Sequence, residues 1–177
     1  MDEMEIIKLV FGILLSLGAI TLLLIAFKVF YKYLVQEKKC TAKVEGIIRK
    51  YTLMNHGGVF LPVVFYIVNG KEYKVVGPEY KACKIVTRRT PLSGNSMEYR
   101  EENQVLKIYR TANSFVGIHR NPLERLYPRY SAINVYYDPK NPKLAYVLRY
   151  CNKKWMFWLM FCCAVFVLLL DLIIIFI

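Results

Sequence analysis

Residues 6–30 read IIKLVFGILLSLGAITLLLIAFKVF, and no charged residue lies between Lys8 and Lys28. About 20 apolar residues form a helix long enough to cross a hydrocarbon core of about 30 Å. The stretch is apolar on all sides, unlike the helices that pack on the core of a small domain. The residues before it are acidic, and no small-residue cleavage site follows it, so it does not have the pattern of a signal peptide. We therefore predict a transmembrane helix within residues 1–34.

A second apolar stretch, residues 155–177, reads WMFWLMFCCAVFVLLLDLIIIFI and carries one charged residue, Asp171. Trp155 and Trp158 stand at its start, where an interfacial aromatic belt is expected. This pattern predicts a second transmembrane helix within residues 153–177. The two helices then flank a separate domain, which we place at residues 40–150.

The residues between the two apolar stretches are strongly basic. Residues 31–154 hold 23 of the 25 Lys and Arg residues (all but Lys8 and Lys28) and 9 of the 13 Asp and Glu residues, which is a net charge of +14. Positive charge beside a membrane span favours the cytoplasmic side. We therefore expect a plasma-membrane protein with a cytoplasmic domain and both termini outside. Anionic lipids are expected partners, and nucleic-acid binding is the less favoured explanation of the same charge.

The domain carries a β pattern from its start. Residues 42–51, AKVEGIIRKY, alternate between small or apolar and polar side chains, which predicts a strand. LPVVFYIV and KEYKVV follow on either side of Asn69 and Gly70. Asn-Gly between such runs is the strongest short hairpin signal, because a type I′ turn requires positive φ at both central residues. We therefore predict a β-hairpin over residues 61–76.

Two further strands are predicted near the end of the domain, INVYY at residues 133–137 and LAYVLRY at residues 144–150. The sequence DPKNP joins them, and its Asp138 and Asn141 can bond neighbouring backbone amides. One carboxylate and one amide are too few ligands for calcium, so a turn is preferred to a cation site. With five or six mostly antiparallel strands, the domain is predicted to form a small OB- or SH3-like barrel. The fold class is then membrane α+β.

Residues 79–129 are the least regular part of the domain and are interpreted as an insertion. Residues 97–115 predict either a helix or a helical turn followed by a short strand at 105–109. The sequence LERLY at 123–127 lies between two prolines and predicts one helical turn. Arg and Tyr are enriched in protein interfaces. Candidate partner- or lipid-binding residues are therefore Arg88, Arg89, Tyr99, Arg110, Arg120 and Arg125.

Four short motifs resemble a known family. They are Ala-x-Val-x-Gly-x-Ile from Ala42, Pro-Val-Val-x-Tyr from Pro62, the Asn-Gly-Lys-x-Tyr hairpin from Asn69, and NVYYDPKNP at residues 134–142. This pattern is similar to bacterial membrane-anchored β-domains catalogued as a domain of unknown function, whose members carry a helix on either side. The chain departs from that pattern at residues 131–132, where a glycine is usual, and in its longer connection at 79–129. The resemblance implies the fold and the membrane anchor but no activity. Its turn residues here are Asn69, Gly70, Tyr137, Asp138, Pro139, Asn141 and Pro142.

Motifs for catalysis are sparse. The two histidines, His56 and His119, lie in predicted loops, and no nucleophile or phosphate-loop motif occurs. Glu101 and Glu102 are adjacent and would point apart on a helix or a strand. The five cysteines fit neither a disulfide scaffold nor a zinc site. We therefore predict a non-enzymatic protein with no cofactor and no metal.

Asp171 is the notable charge within the apolar stretches, because ionisable residues in membrane spans are costly and often functional. Its side chain is expected to extend toward the outer interface. The alternative is pairing with Lys8 or Ser16 of the first helix, or with another subunit. Gly12 and Ser16 have the small-xxx-small spacing that permits close helix approach, which would suit packing against residues 162–164 or a homo-oligomer.

These features predict a membrane-tethered interaction or accessory module. Its β-domain would bind a membrane-protein partner at the inner leaflet, as an immunity or secretion-accessory protein would. The alternative function is a small subunit of a transporter or channel complex, with Asp171 in a polar contact between helices.

Overall fold

The computed structural model describes residues 3–89, 96–112 and 121–176. The chain divides into two compact units. One is a helical unit made of Met1–Val35 and Lys153–Ile177, and the other is a β-domain made of Gln36–Asn152. The predicted candidates Arg120 and His119 lie outside the described residues.

The helical unit contains two long helices. The first begins as α1 (Glu3–Ile25), passes through one π-helical turn (Ala26–Phe30) and continues as α2 (Tyr31–Lys39), whose last four residues belong to the β-domain. The second is α4 (Lys154–Phe176). Both are long and apolar enough to cross a membrane, with a mean hydropathy of 2.7 in their most apolar windows. Because only 17% of each window is buried, most of this apolar surface is exposed.

Alanines and aromatic rings form the contact within the helical unit. Ala19, Ala26 and Ala164 have no exposed surface. The ring of Phe27 meets that of Phe157 edge to face, with centroids 5.5 Å apart. Small side chains allow α1 and α4 to approach closely, which is how packing is optimised between helices in an apolar medium.

Eight strands and one short helix make up the described part of the β-domain. A five-stranded antiparallel sheet has the order β3-β2-β1-β7-β8, and its edge strands β3 and β8 lie close enough that the sheet nearly closes. The predicted antiparallel, barrel-like domain is confirmed in this form. The elements are β1 (Ala42–Tyr51), β2 (Pro62–Val68), β3 (Lys71–Val76), β4 (Ala82–Arg89), β5 (Met97–Glu102), β6 (Val105–Ala112), α3 (Leu123–Leu126), β7 (Ala132–Asp138) and β8 (Asn141–Val147).

In the five-stranded sheet, two-residue turns join β2 to β3 and β7 to β8. Asn69 and Gly70 have φ values of 51° and 75°, so the predicted left-handed turn between β2 and β3 is confirmed. Between β7 and β8 the backbone N–H of Lys140 donates to the Asp138 carboxylate over 2.9 Å. Asp138 is buried, and this bond stabilises the turn that the DPKNP sequence predicts.

The five-stranded sheet encloses the first of two cores, and all of its buried members lie on the strands. They are Ile48, Val64, Tyr66, Val68, Ile133, Val135, Ala145 and Val147. Gly46 allows β1 and β2 to pack closely, because a Cβ there would stand 2.6 Å from Cγ1 of Val64. The strand alternation predicted for residues 42–51 is therefore confirmed.

The segment 79–129 differs from its prediction. Residues 97–112 form a β-hairpin, β5–β6, so the helix alternative is wrong, and strand β4 was not predicted at all. These strands form a separate sheet of order β4-β6-β5, in which β4 runs parallel to β6. The strand alternative at 105–109 is correct but too short, and α3 confirms the predicted helical turn. The domain therefore has eight described strands rather than five or six.

A second core lies under the three-stranded sheet. Its buried members are Val59, Leu61, Tyr80, Leu106, Ile108 and Leu123. Side-chain hydrogen bonds tie its loops together: Asn121 donates to the carbonyl of Phe60 over 2.8 Å and accepts from its N–H over 3.1 Å. Tyr127 packs against both cores and thereby joins the two sheets.

Candidate functional site

The exposed face of the three-stranded sheet carries a shallow groove of about 580 Å³. We call it the arginine groove. Its lining residues are Val86, Thr87, Arg88, Ser96, Glu98, Arg100, Tyr109, Arg110 and Thr111.

Strand register explains how these side chains come together. Ile85 pairs with Ile108, and these two side chains pack inward at the second core. Their neighbours Val86 and Tyr109 are also paired. Because successive side chains of a strand point to opposite faces, Val86 and Tyr109 face away from the core. Val86 is 50% exposed, so an apolar side chain lies accessible among charged ones.

Two arginines and one glutamate on the exposed face, Arg88, Arg100 and Glu98, set the charge of the arginine groove. Arg100 and Glu98 form an exposed ion pair with an N–O distance of 2.8 Å, and Glu98 raises the pKa of Arg100. The Arg100 guanidinium also lies 5.6 Å from the centroid of the Tyr109 ring. The side chain of Arg88 is exposed. Arg110 follows Tyr109 on its strand and points toward the other face, where its Nε donates to the Thr87 hydroxyl over 2.7 Å. The groove therefore has a net positive charge and retains planar donors for an anionic group.

The structure brings together only part of the predicted interface set. Arg88 and Arg110 both line the arginine groove. Tyr99 lies on the inward face, where it packs against the second core and donates its hydroxyl proton to the carbonyl of Pro122 over 2.7 Å. Arg125 is exposed on α3. Arg89 ends β4, and its side chain is outside the described residues, as is all of Arg120.

Two members of the groove, Arg100 and Tyr109, were missed by sequence reasoning. Both lie in the region that was open to a helical interpretation, and a helix would have separated them on its surface. Once residues 97–112 are known to form a hairpin, the period-two alternation places both side chains on the exposed face.

The predicted helix-contact residues Gly12, Ser16 and Asp171 lie together in the helical unit. The Ser16 hydroxyl donates to Oδ2 of Asp171 over 2.5 Å. Asp171 is only 5% exposed, so the expected extension of its side chain toward the outer interface is wrong. A Cβ on Gly12 would stand 3.0 Å from Oδ1 of Asp171. Packing of Gly12 and Ser16 against residues 162–164 was one expectation. Cys162 and Cys163 are exposed, and Gly12 and Ser16 contact Asp171.

A third polar cluster lies inside the β-domain. The Arg149 guanidinium stacks 4.4 Å from the centroid of the Tyr80 ring, and its Nε lies 3.0 Å from the Glu101 carboxylate. Burial, followed by the hydrogen bond with Tyr127, raises the pKa of Tyr80. A tyrosine of raised pKa stays neutral at physiological pH. The cluster therefore fits a structural link better than a general base.

The described residues contain no group of three or more His, Cys, Asp or Glu side chains that could hold a metal ion. No protein-family model matches the chain, and searches of curated proteins and of solved structures find no significant similarity. What the arginine groove and the Ser16–Asp171 contact can bind is therefore inferred from their own residues.

Proposed function

We propose that the chain is a membrane-tethered, non-enzymatic binding module. In this proposal the two long helices span the plasma membrane, and the β-domain lies at its cytoplasmic face. The arginine groove binds an acidic segment of a membrane-protein partner. The observation that carries the proposal is the gathering of Arg88, Arg100 and Tyr109 in one groove of about 580 Å³.

The chemistry of the arginine groove favours a protein ligand that bears carboxylates. Arginine presents a planar fork of donors that matches a carboxylate in two parallel hydrogen bonds. Tyr109 and the half-exposed Val86 supply an aromatic and an apolar surface beside those donors. Arginine and tyrosine are the side chains over-represented among residues that dominate interface energies. The Glu98–Arg100 pair is exposed, so an incoming carboxylate can replace Glu98.

The membrane placement rests on hydropathy and charge. Both helices are long and apolar enough to cross a bilayer, and the net charge of +14 between them suits the anionic inner leaflet. The motif resemblance to membrane-anchored β-domains supports the same arrangement. An immunity or secretion-accessory protein, bound to a partner in the same membrane, is one form that this module would take.

Site-specific photo-crosslinking in cells tests the proposal. A crosslinking side chain replaces Val86 in the arginine groove, or Ile67 on the five-stranded sheet as a control of similar exposure (50% and 60%). We expect one protein partner to be captured through position 86 and not through position 67. An Arg88→Glu/Arg100→Glu variant should abolish that capture. Capture of lipid alone, or of a second copy of the chain alone, would contradict the proposal.

The buried Ser16–Asp171 contact favours a second candidate function, a subunit of a transporter or channel complex. Polar pairs inside membrane-spanning helices mark ion pathways and subunit contacts. This candidate predicts a transport defect in Asp171→Leu and normal transport in Arg88→Glu/Arg100→Glu. The opposite pattern of defects would support the binding module.

A further inference from the structure

A crevice of about 540 Å³ runs along one side of α1. We call it the Asp171 crevice. Its lining residues are Glu5, Lys8, Leu9, Gly12, Ile13, Ser16, Leu17, Ile20 and Asp171. Those on α1 recur every three to four residues, so they form one stripe over about four helical turns, roughly 22 Å at 1.5 Å per residue.

The floor of the Asp171 crevice contains an unsatisfied acceptor. Oδ2 of Asp171 is bonded by Ser16, but Oδ1 is buried and no described residue donates a hydrogen bond to it. Gly12 keeps the space beside this oxygen free of a side chain, because a Cβ at that position would stand 3.0 Å from Oδ1. In hydrocarbon no bulk water can supply the missing donor, so an unsatisfied oxygen there is costly.

The shape of the crevice and its ligands argue for a helix as the occupant. A hard cation needs several oxygen ligands around one point, whereas the crevice offers only Ser16 and Asp171 at this depth, and Glu5 lies roughly 16 Å along the helix from Ser16. A lipid chain would fill the apolar stripe but has no donor. A helix fits a long, narrow, mainly apolar groove, and one of its side chains can donate to Oδ1.

We propose that the Asp171 crevice docks a transmembrane helix of another protein that carries one lysine or arginine at the level of Gly12 and Ser16. The cation supplies the donor that Oδ1 lacks and complements the charge of the carboxylate. Gly12 and Ser16 let the two backbones approach closely. The inference rests on the membrane-spanning placement of the helices and is independent of the arginine groove.

A second copy of the chain is the poorer occupant, because the hydroxyls of its first span near this depth, among the described residues, are already bonded. The Ser16 hydroxyl already bonds Asp171, and the Thr21 hydroxyl donates to the carbonyl of Leu17 over 2.8 Å. Lys8 lies one turn before Gly12, near the end of the crevice, where a long side chain extends to the interface rather than to the bilayer interior.

Association with model helices tests this inference. The full chain, labelled at its N-terminus, is reconstituted in phosphatidylcholine vesicles with a labelled Leu/Ala helix of about 23 residues. The helix carries either one lysine about seven residues from its end or leucine at that position. We expect energy transfer to show about tenfold tighter association of the lysine helix, the usual scale of one interhelical hydrogen bond in model peptides.

Three variants locate the contact. Asp171→Leu should abolish the preference for the lysine helix, and Ile13→Trp should block the crevice while leaving Asp171 in place. Leu14→Trp is the matched control, since Ile13 and Leu14 are 53% and 61% exposed but only Ile13 lines the crevice. Leu14→Trp should keep the preference.

Equal association of the two helices would overturn the inference, as would a lysine preference that survives in Asp171→Leu. Asp171-dependent pairing of two copies of the chain would also overturn it, in favour of a homodimer. Carbonate extraction of the same vesicles separates this failure from that of the proposed function. An extractable chain contradicts the membrane-spanning placement itself, whereas an integral chain without a lysine preference contradicts only the docking site.

Discussion

The five-stranded sheet closes over a core whose buried side chains all lie on its own strands, whereas the three-stranded sheet depends on its surroundings. Of the buried members of the second core, only Leu106 and Ile108 lie on strands. Val59, Leu61 and Tyr80 come from connecting segments, and Leu123 comes from α3. One sheet therefore supplies all the buried residues of its core, whereas most buried residues under the other sheet come from connecting segments and α3.

This difference bears on the proposed function, because the arginine groove lies on the sheet that covers the second core. Surface loops and the elements they support open more easily than central strands. We therefore expect the three-stranded sheet to open more easily than the five-stranded sheet. Five substitutions, one control substitution and one labelling measurement test this division. They are given from the largest expected effect to the smallest.

Ile48→Ala should have the largest effect. Ile48 is fully buried in the first core, and removing such a side chain costs about 2–5 kcal/mol, including the cavity left behind. Because the second core packs beside this sheet through Tyr127, we expect the whole domain to lose stability. Hydrogen exchange of the full chain in detergent should show faster exchange in both sheets. Exchange that speeds up in β1 alone would contradict a shared unfolding unit.

Ile108→Ala is the matched change in the second core, where Ile108 is also fully buried. The local cost should be similar, about 2–5 kcal/mol. We expect faster exchange in residues 97–112 and unchanged protection in β1, β2 and β7. If all eight strands lost protection together, the three-stranded sheet would not be a separate opening unit.

Asn121→Ala tests the hydrogen bonds that connect the loops of the second core. The change removes both contacts with the backbone of Phe60 and should cost about 1–3 kcal/mol, because half-buried polar groups lose their partners. Asn55→Ala is the control, since Asn55 accepts from Gly58 at an exposed site, and it should cost less. Equal losses in thermal unfolding would remove the distinction between the two sites.

The β2–β3 and β5–β6 turns should respond differently to substitution. Gly70→Ala places a side chain at φ 75° and should cost about 1–2 kcal/mol. Gln104 also has positive φ, at 65°. Its side-chain amide, however, donates a hydrogen bond to the carbonyl of Tyr150 and accepts one from the N–H of Asn152. Gln104→Gly relieves the backbone while losing those bonds, so we expect a net change within about 1 kcal/mol. A large stabilisation by Gln104→Gly would show that its side-chain bonds contribute little.

The last measurement, thiol labelling, concerns the smallest expected effect. The ionisation of Cys40 should leave the stability of the domain unchanged at neutral pH. Cys40 is buried and its Sγ donates to the carbonyl of Leu144 over 3.3 Å. Burial, followed by the charge of Asp138, raises its pKa to about 11 from 9.0. The fold favours the neutral Cys40 thiol. Its contribution to the stability of the folded state is therefore complete below pH 9 and is lost as the pH rises through about 11. Iodoacetamide should modify the half-buried Cys83 well before Cys40, and equal rates would contradict this burial.

The parts of the fold that could be predicted are those that neighbouring residues specify. The apolar runs at residues 6–30 and 155–177 indicate helices by composition and length alone. The β2–β3 hairpin follows from Asn69 and Gly70, since both tolerate positive φ without help from other contacts.

The β5–β6 hairpin could not be predicted in the same way. Its turn uses Asn103 and Gln104 at positive φ, and glutamine has no intrinsic preference for that conformation. The side chain of Gln104 reaches residues 150–152, so the turn is stabilised by contacts that lie more than 40 residues away in sequence. A search for turn residues therefore identifies the β2–β3 hairpin but not the β5–β6 hairpin.

The sequence by itself determined the two apolar helices, the basic charge between them and the antiparallel barrel-like sheet, because each depends on periodicity and turn residues within a short stretch. Only the tertiary structure decided the arginine groove and the Ser16–Asp171 contact. Arg88 and Arg100 meet through the pairing of β4 and β5 with β6, and Ser16 and Asp171 meet across 155 positions. Such contacts form because burying apolar surface and satisfying polar groups are properties of the folded chain, and no local pattern encodes which distant residue will be the partner.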